Sequence, residues 1–383
     1  MIISLFFTRG ISLEIWALSG LLYREKILYE QLLTSGVLCK VYWITYGKDD
    51  YHLSLELKSK GLLNENIHVI GIPRYFKILE KFSFLYSLVI PFLHFKILKE
   101  SHLFKTNQMD GSWAALIAKL LFQKPFILRA GYTLSKSEMA QGKIKHVASM
   151  LVERIMYSFS DWAIVTSLHD KFYVESSYRV KRLHVIPNYV DTKNFRNKNN
   201  PRRSNSLLYV GRLSPDKNLF NLIEAVSKVG FSLDIYGSGP LKKELEFFSS
   251  SLIANVKFHN PVPNSSLVDI YNNHSFYVLV SPKEGMPKTL IEAMACGCVC
   301  IGTNVEGINE IIVDDLNGLL IDDISVDSVA KKLKEIKSKK YSDFINLIEQ
   351  SESFAHNNYS LNAVLRKEAI LLRSVAYANH TEE

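Results

Sequence analysis

Four charged side chains in the second half of the sequence stand at spacings that could do chemistry: Arg212 and Lys217, five residues apart, and Glu284 and Glu292, eight apart. The cations lie in Gly211-Arg212-Leu213-Ser214-Pro215-Asp216-Lys217-Asn218, a glycine turn leading into a helical pattern. The carboxylates bracket Gly285-Met286-Pro287-Lys288-Thr289-Leu290-Ile291. Pro287 suits the first turn of a helix, so Glu284 is expected on the loop and Glu292 inside the helix. Carboxylates accept paired hydrogen bonds from sugar hydroxyls, whereas cations and the amides of a helix N-terminus hold phosphate oxygens. A further loop, Gly237-Ser238-Gly239-Pro240, lets a flat ring or a phosphate approach the backbone. The pattern suits a sugar joined to a diphosphate.

Residues so placed need strands that end together, and parallel sheets collect ligands at the carboxyl ends of their strands. Short β-branched or aromatic runs alternate with longer amphipathic stretches along the whole chain, which predicts repeated strand–helix units. In the first half strands are expected near 1–7, 37–46, 66–71, 101–106, 125–130, 161–166 and 183–187, with helices over 19–35, 110–122 and 142–159. In the second half they are expected at 207–210, 232–236, 256–259, 277–281 and 299–302. Between the halves, 191–206 is rich in Asn, Arg and Pro and reads as a linker. This predicts an α/β chain of two doubly wound Rossmann-like domains. Residues 1–190 would form an acceptor-binding domain, 207–345 a nucleotide-sugar-binding domain, and 346–383 a helical segment that packs outside or crosses back.

Taken together and in order, five segments resemble the retaining glycosyltransferases of family 4, whose two-domain fold is called GT-B. They are Pro187-Asn188-Tyr189-Val190-Asp191, Gly211-Arg212-Leu213 with Lys217-Asn218, and Gly237-Ser238-Gly239-Pro240. The others are Glu284-Gly285-Met286-Pro287 with Glu292-Ala293-Met294-Ala295-Cys296-Gly297, and Glu310-Ile311-Ile312 with Asn317-Gly318-Leu319-Leu320. The resemblance covers about half of the chain and implies two domains facing across a cleft, with a nucleotide-sugar donor held mainly by the second. Arg212 and Lys217 would neutralise the diphosphate leaving group, Glu284 would contact the donor sugar and Glu292 the ribose hydroxyls. Gly211, Gly237, Gly239, Gly285, Met286, Thr289 and Leu290 would line the donor cradle. Gly10 and the Ser19-Gly20…Arg24-Glu25 stretch resemble the glycine loop and first helix of the other domain, with Gly20 near the donor. The family implies front-face transfer with retention and no metal or other cofactor. Where many members carry a His after the fifth strand, this sequence reads Arg129-Ala130-Gly131-Tyr132.

The formal charge is +8, but residues 1–200 carry +11 and the rest −3. A basic first half suits an anionic partner such as a membrane face or a phosphorylated ligand. Aromatic residues over 75–95, with Lys77, Lys81, Lys96 and Lys99 around them, could lie in a membrane interface or form a buried helix. The most apolar run, 84–95, is too short to span a bilayer. The N-terminus has no cationic stretch before its apolar run, so it reads as a strand and not as a signal peptide. Four cysteines, three of them at 296, 298 and 300, make no disulfide framework and suit a reducing compartment; buried strand side chains explain the cluster better than metal ligation. Asp314-Asp315 and Asp322-Asp323 read as turn and cap residues, and the lysines of 331–340 as a solvated helix face. The expectation is a hexosyltransferase acting on a glycan acceptor; lipid-linked glycans of lipopolysaccharide, O-antigen or capsule are the leading acceptor class, at the inner face of a cytoplasmic membrane. The alternatives are a soluble small acceptor and a silent nucleotide-sugar-binding partner subunit. Nucleic acid is not expected as a partner. A dinucleotide-dependent oxidoreductase is disfavoured, because no strand is followed by Gly-x-Gly-x-x-Gly with an acidic residue about twenty positions on.

Overall fold

A strand in a parallel sheet is covered on both faces, so it reads as a nearly continuous apolar run, and the helices that cover it supply the amphipathic stretches between. The computed structural model describes residues 1–19, 21–73, 75, 82–131, 133–135 and 143–380, with the side chains of 204, 379 and 380 excepted. Among these residues two parallel sheets form. The first contains β1 (Ile2–Phe6), β2 (Lys40–Ile44), β3 (Ile67–Ile70), β4 (Leu103–Thr106), β5 (Phe126–Ala130), β6 (Trp162–Val165) and β7 (Leu183–Val185) in the order β3-β2-β1-β4-β5-β6-β7. The second contains β8 (Arg203–Val210), β9 (Ser232–Tyr236), β10 (Val256–His259), β11 (His274–Leu279), β12 (Val299–Thr303) and β13 (Leu319–Ile321) in the order β10-β9-β8-β11-β12-β13. Every strand expected from the sequence is present. Only the three-residue β13 goes beyond that reading. In the second sheet the strand order reverses between β8 and β11, which makes the carboxyl ends of those two strands the place where a ligand crevice opens.

The chain divides into one unit of Met1–Ile186 with Leu365–Glu383 and another of Pro187–Val364. Residues 191–206, read as linker from composition, belong instead to the second unit. Phe195 is buried in its core, and the Arg202 guanidinium donates to the carbonyls of Tyr271, His274 and Cys296 and to Asn197 Oδ1. The polar composition there reflects hydrogen bonding to carbonyls, which composition cannot tell from solvation. The helical segment 346–383 is likewise divided. Helix Ile345–Tyr359 packs on helix Lys288–Ala295 in the second unit, while most of helix Leu361–His380 belongs to the first. There Glu368 is fully buried, 2.7 Å from Lys105 Nζ on β4 and 3.2 Å from the Arg129 guanidinium on β5.

Of the clustered cysteines only Cys300 lies in a strand, with Cys296 at the end of helix Lys288–Ala295 and Cys298 in the following turn. All three are buried, and burial pushes the Cys298 thiol up to about 11, so they act as small apolar side chains. Asp314 accepts from the Leu320 amide and Asp323 from the Ser325 amide, the turn and cap roles expected of those pairs. Helix Val326–Lys337 buries Val329, Ala330, Leu333 and Ile336, and Lys337 reaches the Val229 and Gly230 carbonyls, where it caps another helix end. Within 75–95, helix Ser83–Leu93 buries Tyr86, Ser87, Ile90 and Pro91 and turns Phe84, Leu85 and Phe92 outward. Lys77 and Lys81 lie outside the described residues.

Candidate functional site

The loops that follow β8 and β9 are locked together by backbone. Gly211 N donates to Tyr236 O, Leu213 N to Ser238 O and Leu241 N to Leu213 O. A Cβ on Gly237 would lie 1.8 Å from Gly211 O, and one on Gly239 2.3 Å from Leu213 O. Glycine is therefore required at 237 and 239 by the passage of one loop over the other, a role that needs no ligand. A Cβ on Gly211 would strike the Tyr209 hydroxyl. That hydroxyl, pushed up by burial and nearby carboxylates, donates to Arg212 O and fixes the turn that presents the Arg212 side chain.

On this frame Lys217 and Glu284 come together. Lys217 Nζ is 2.7 Å from Glu284 Oε1 and 3.2 Å from Asp216 Oδ2, with both Lys217 and Glu284 largely buried. Ser281 Oγ donates to the same Glu284 oxygen at 2.6 Å, and Glu284 N donates to Glu306 O. One ion pair thus ties the loop after β8 to the loop after β11, across the position where the strand order reverses. Desolvation would raise the Asp216 carboxyl, but the Ser214 hydroxyl and Lys217 together hold it below the usual carboxylate range. Arg212 is different. Its side chain is 78% exposed and only 3.9 Å contact with Asp216 Oδ2 pairs it, so its guanidinium can reorient toward an anion at little cost.

Helix Lys288–Ala295 starts at Pro287, and among the described residues no side chain caps its first turn. Its N-terminal amides retain the positive end of the helix dipole. Gly285, just before it, has open space where a Cβ would be. Thr289 Oγ1 bonds Tyr277 OH at 2.7 Å, and Met286 packs on the core with its sulfur accepting from Asn188 N. The Leu290 side chain is fully buried and its amide bonds Pro287 O, so Leu290 supports the turn from inside. Glu292 is only 4% exposed, its carboxylate accepting from Tyr271 OH at 3.1 Å and Asn264 Nδ2 at 3.2 Å. The structure therefore brings Arg212, Lys217 and Glu284 to one rim and seats Glu292 deeper in the domain. Asp216, Ser281, Tyr271 and Asn264 were not singled out by sequence reasoning. Asp216 sits beside Lys217 and Ser281 three residues before Glu284 in the chain, but Tyr271 and Asn264 reach Glu292 only through the fold.

In the first unit, Gly10 has φ +76 in the loop after β1. Ser12 caps the helix Leu13–Leu18 that follows, and the buried Asp50 carboxylate accepts from the amides of Leu13, Glu14 and Gly47. Asp50 thus occupies the amides of that helix start. Arg24 pairs with its neighbour Glu25. Gly20 and Tyr132 lie outside the described residues.

Residues 190–360 match the family model described as Glycosyl transferases group 1. The match covers nearly all of the second unit, Pro187–Val364, and a little under half of the chain. The chain is 29% identical over 130 residues to an uncharacterized glycosyltransferase of Methanocaldococcus jannaschii, over 34% of this chain and 37% of that one. It is 25% identical over 275 residues to the capsular polysaccharide biosynthesis glycosyltransferase CapH of Staphylococcus aureus, over 68% of this chain and 75% of the relative. A UDP-Gal:alpha-D-GlcNAc-diphosphoundecaprenol alpha-1,3-galactosyltransferase of Escherichia coli is 29% identical over 42% of this chain and 46% of its own. Two of these three matches thus span less than half of the relative's length. Among solved structures, sucrose-phosphate synthase from Thermosynechococcus elongatus superposes with a TM-score of 0.79 at 18% identity, over 99% of this chain and 100% of the other. HepE of Anabaena, in complex with UDP and glucose, superposes with a TM-score of 0.74 at 16% identity, over 98% and 100%. The fold of the chain is GT-B.

Proposed function

We propose that the chain moves a sugar from a nucleotide diphosphate donor to a lipid-linked glycan acceptor during cell-surface polysaccharide assembly, with retention of configuration, as in family 4. The observation that carries the reading is the Lys217–Glu284 pair at the strand-order reversal, flanked by the exposed cation of Arg212 and a helix start at Pro287. An incoming diphosphate would draw Lys217 and Arg212 onto its oxygens, release Glu284 toward the sugar hydroxyls and complete its shell with amides near Gly285 and Thr289. The bond from the sugar's anomeric carbon to the diphosphate oxygen breaks with its electron pair leaving on that oxygen. The acceptor hydroxyl bonds the same face of the carbon and passes its proton to the departing phosphate. The protein's part is to stabilise the growing negative charge, with no nucleophile of its own.

Support for the class of partners comes from CapH in capsule synthesis, from the E. coli relative named for a diphosphoundecaprenol-linked acceptor, and from the HepE complex with UDP and glucose. The same cations and helix dipole would make a divalent metal unnecessary. The basic first half suits an acceptor presented at the inner face of a cytoplasmic membrane. The test is to incubate the full chain with nucleotide sugars and diphosphate-lipid-linked acceptors, follow nucleotide release, and read the anomeric configuration of the product by NMR. Release that depends on the lipid-linked acceptor and survives a chelator is expected. An inverted anomer overturns retention, loss of turnover restored by manganese or magnesium overturns metal independence, and absence of release with every donor overturns the reaction.

A further inference from the structure

Helix Lys143–Phe159 in the first unit is built inside out. At about 100° per residue, Val147, Leu151, Ile144, Ile155 and Phe159 fall within a contiguous arc of about 120°. That arc faces solvent: Ile144 is 88% exposed, Val147 63% and Leu151 59%. The opposite arc, which faces the domain, carries Ser149, Glu153, Met156 and Tyr157. Its orientation is pinned by polar contacts, since Glu153 is fully buried and accepts from Tyr178 OH at 2.6 Å and Ser135 N at 3.2 Å, and the His146 ring bonds Ser135 O. A helix that only had to cover a sheet would be turned the other way, with its apolar stripe inward.

Apolar exposure recurs on the helices packed next in turn. Helix Trp113–Phe122 touches this helix and leaves Leu120 and Leu121 exposed, and helix Ser83–Leu93, packed on Trp113–Phe122, leaves Phe84, Leu85 and Phe92 exposed. Charge is one-sided too. The sequences of 83–93 and 113–122 contain no acidic residue, and the only one in 143–159 is the buried Glu153. Lys143 and Arg154 flank the exposed stripe on one edge and Lys145 on the other, all three exposed. Among the described residues no helix is long and apolar enough to cross a membrane. An exposed apolar stripe edged by cations and lacking carboxylates matches an anionic lipid leaflet, with side chains below the headgroups and cations among them.

We propose that helix Lys143–Phe159, with the exposed residues of helices Trp113–Phe122 and Ser83–Leu93, is the surface by which this chain lies on an anionic bilayer. This deepens the lipid-linked-acceptor reading and rests on it for the presence of a membrane. It differs from the 75–95 segment expected from sequence in centring the contact on a helix about 25 Å long whose outward apolar face is fixed from within.

The full chain should float with vesicles of phosphatidylcholine and phosphatidylglycerol at low salt and keep part of its binding at high salt. The triple variant Ile144→Ser/Leu151→Ser/Ile155→Ser changes only outward side chains, so it should keep its circular dichroism and melting temperature while its vesicle partitioning falls about tenfold or more. Lys143→Gln/Arg154→Gln should weaken binding at low salt by about fivefold per charge and matter little at high salt. Failure of the wild type to float at low salt overturns the proposal, as does a folded triple variant that floats like the wild type. A wild-type dimer in solution that the triple variant breaks, without flotation of either, would assign the stripe to a second copy and also overturn it. Thermal stabilisation by UDP, read on the same samples, separates the two readings: a chain that floats but ignores UDP loses the donor site and keeps the membrane face.

Discussion

Arg212 and Glu292 stand at opposite extremes of exposure, and their removal should be felt in different measurements. Arg212→Ala deletes a side chain with one long contact, so stability should be unchanged within about 0.5 kcal/mol while nucleotide release falls about 30- to 1000-fold, the cost of a charge-assisted contact to a leaving group. Glu292→Ala leaves the buried Tyr271 hydroxyl without that acceptor and should cost about 1–3 kcal/mol in a denaturant titration, with turnover falling as well. Glu292→Gln keeps the shape and should recover most of the stability. An Arg212→Ala variant with wild-type turnover would remove the cation from the site. Asp234 allows a pH test. Burial alone would raise its carboxyl, but hydrogen bonds from His274 at 2.9 Å and His259 at 2.7 Å hold it well below the usual carboxylate range, with Arg203 at 3.1 Å adding to the pair. A carboxyl depressed by folding contributes its stability above the unfolded value of 3.8 and loses it as pH falls below that. Asp234→Asn should therefore lose stability near neutrality and show a shallower acid decline below about pH 4, read as urea midpoints; a decline as steep as the wild type's would count against the linkage.

Helices and strands differ in how much of themselves they show in sequence. Strand–helix alternation and the loops after β8, β9 and β11 were legible because each depends on neighbours in the chain: β9 and β10 match the expected 232–236 and 256–259. The partners of Glu292, Asp234 and Glu368 were not, since Tyr271, His274 and Lys105 are brought to them by the fold. The helix over 142–159 was expected, yet periodicity defines a stripe without saying which way it faces. That choice depended on Glu153 finding Tyr178 and the Ser135 amide. Glu368 offers a test at this scale. Its pair of oxygens serves Lys105 and Arg129, and burial pulls the Lys105 ammonium below its ordinary value despite Glu368. Glu368→Ala should cost on the order of 3–5 kcal/mol by leaving a buried ammonium without its counter-charge. Restoring stability by adding Lys105→Met to Glu368→Ala is the expected outcome; a double variant as weak as the single would place the loss elsewhere.

The whole molecule divides its tasks between units, and ligand response should divide with them. The loops proposed to hold the donor, 211–218, 237–240 and 284–292, all belong to Pro187–Val364. UDP at 100 times its dissociation constant should add about 2.7 kcal/mol to that unit. Hydrogen exchange should slow in β8, β9 and β11 and change little in β1 to β7, whereas protection gained mainly in the first sheet would move the donor site. The return of Leu365–Glu383 to the first unit has a consequence for how the chain is made. Domains usually fold in the order in which they leave the ribosome, N-terminal first. Here the unit that emerges first is finished last, because β4 and β5 hold a lysine and an arginine whose counter-charge is translated 263 residues after Lys105. Until Glu368 is made, Lys105 on the central strand of the first sheet lacks that counter-charge. The first sheet can therefore complete its charge pairing only after the whole of Pro187–Val364 has been translated.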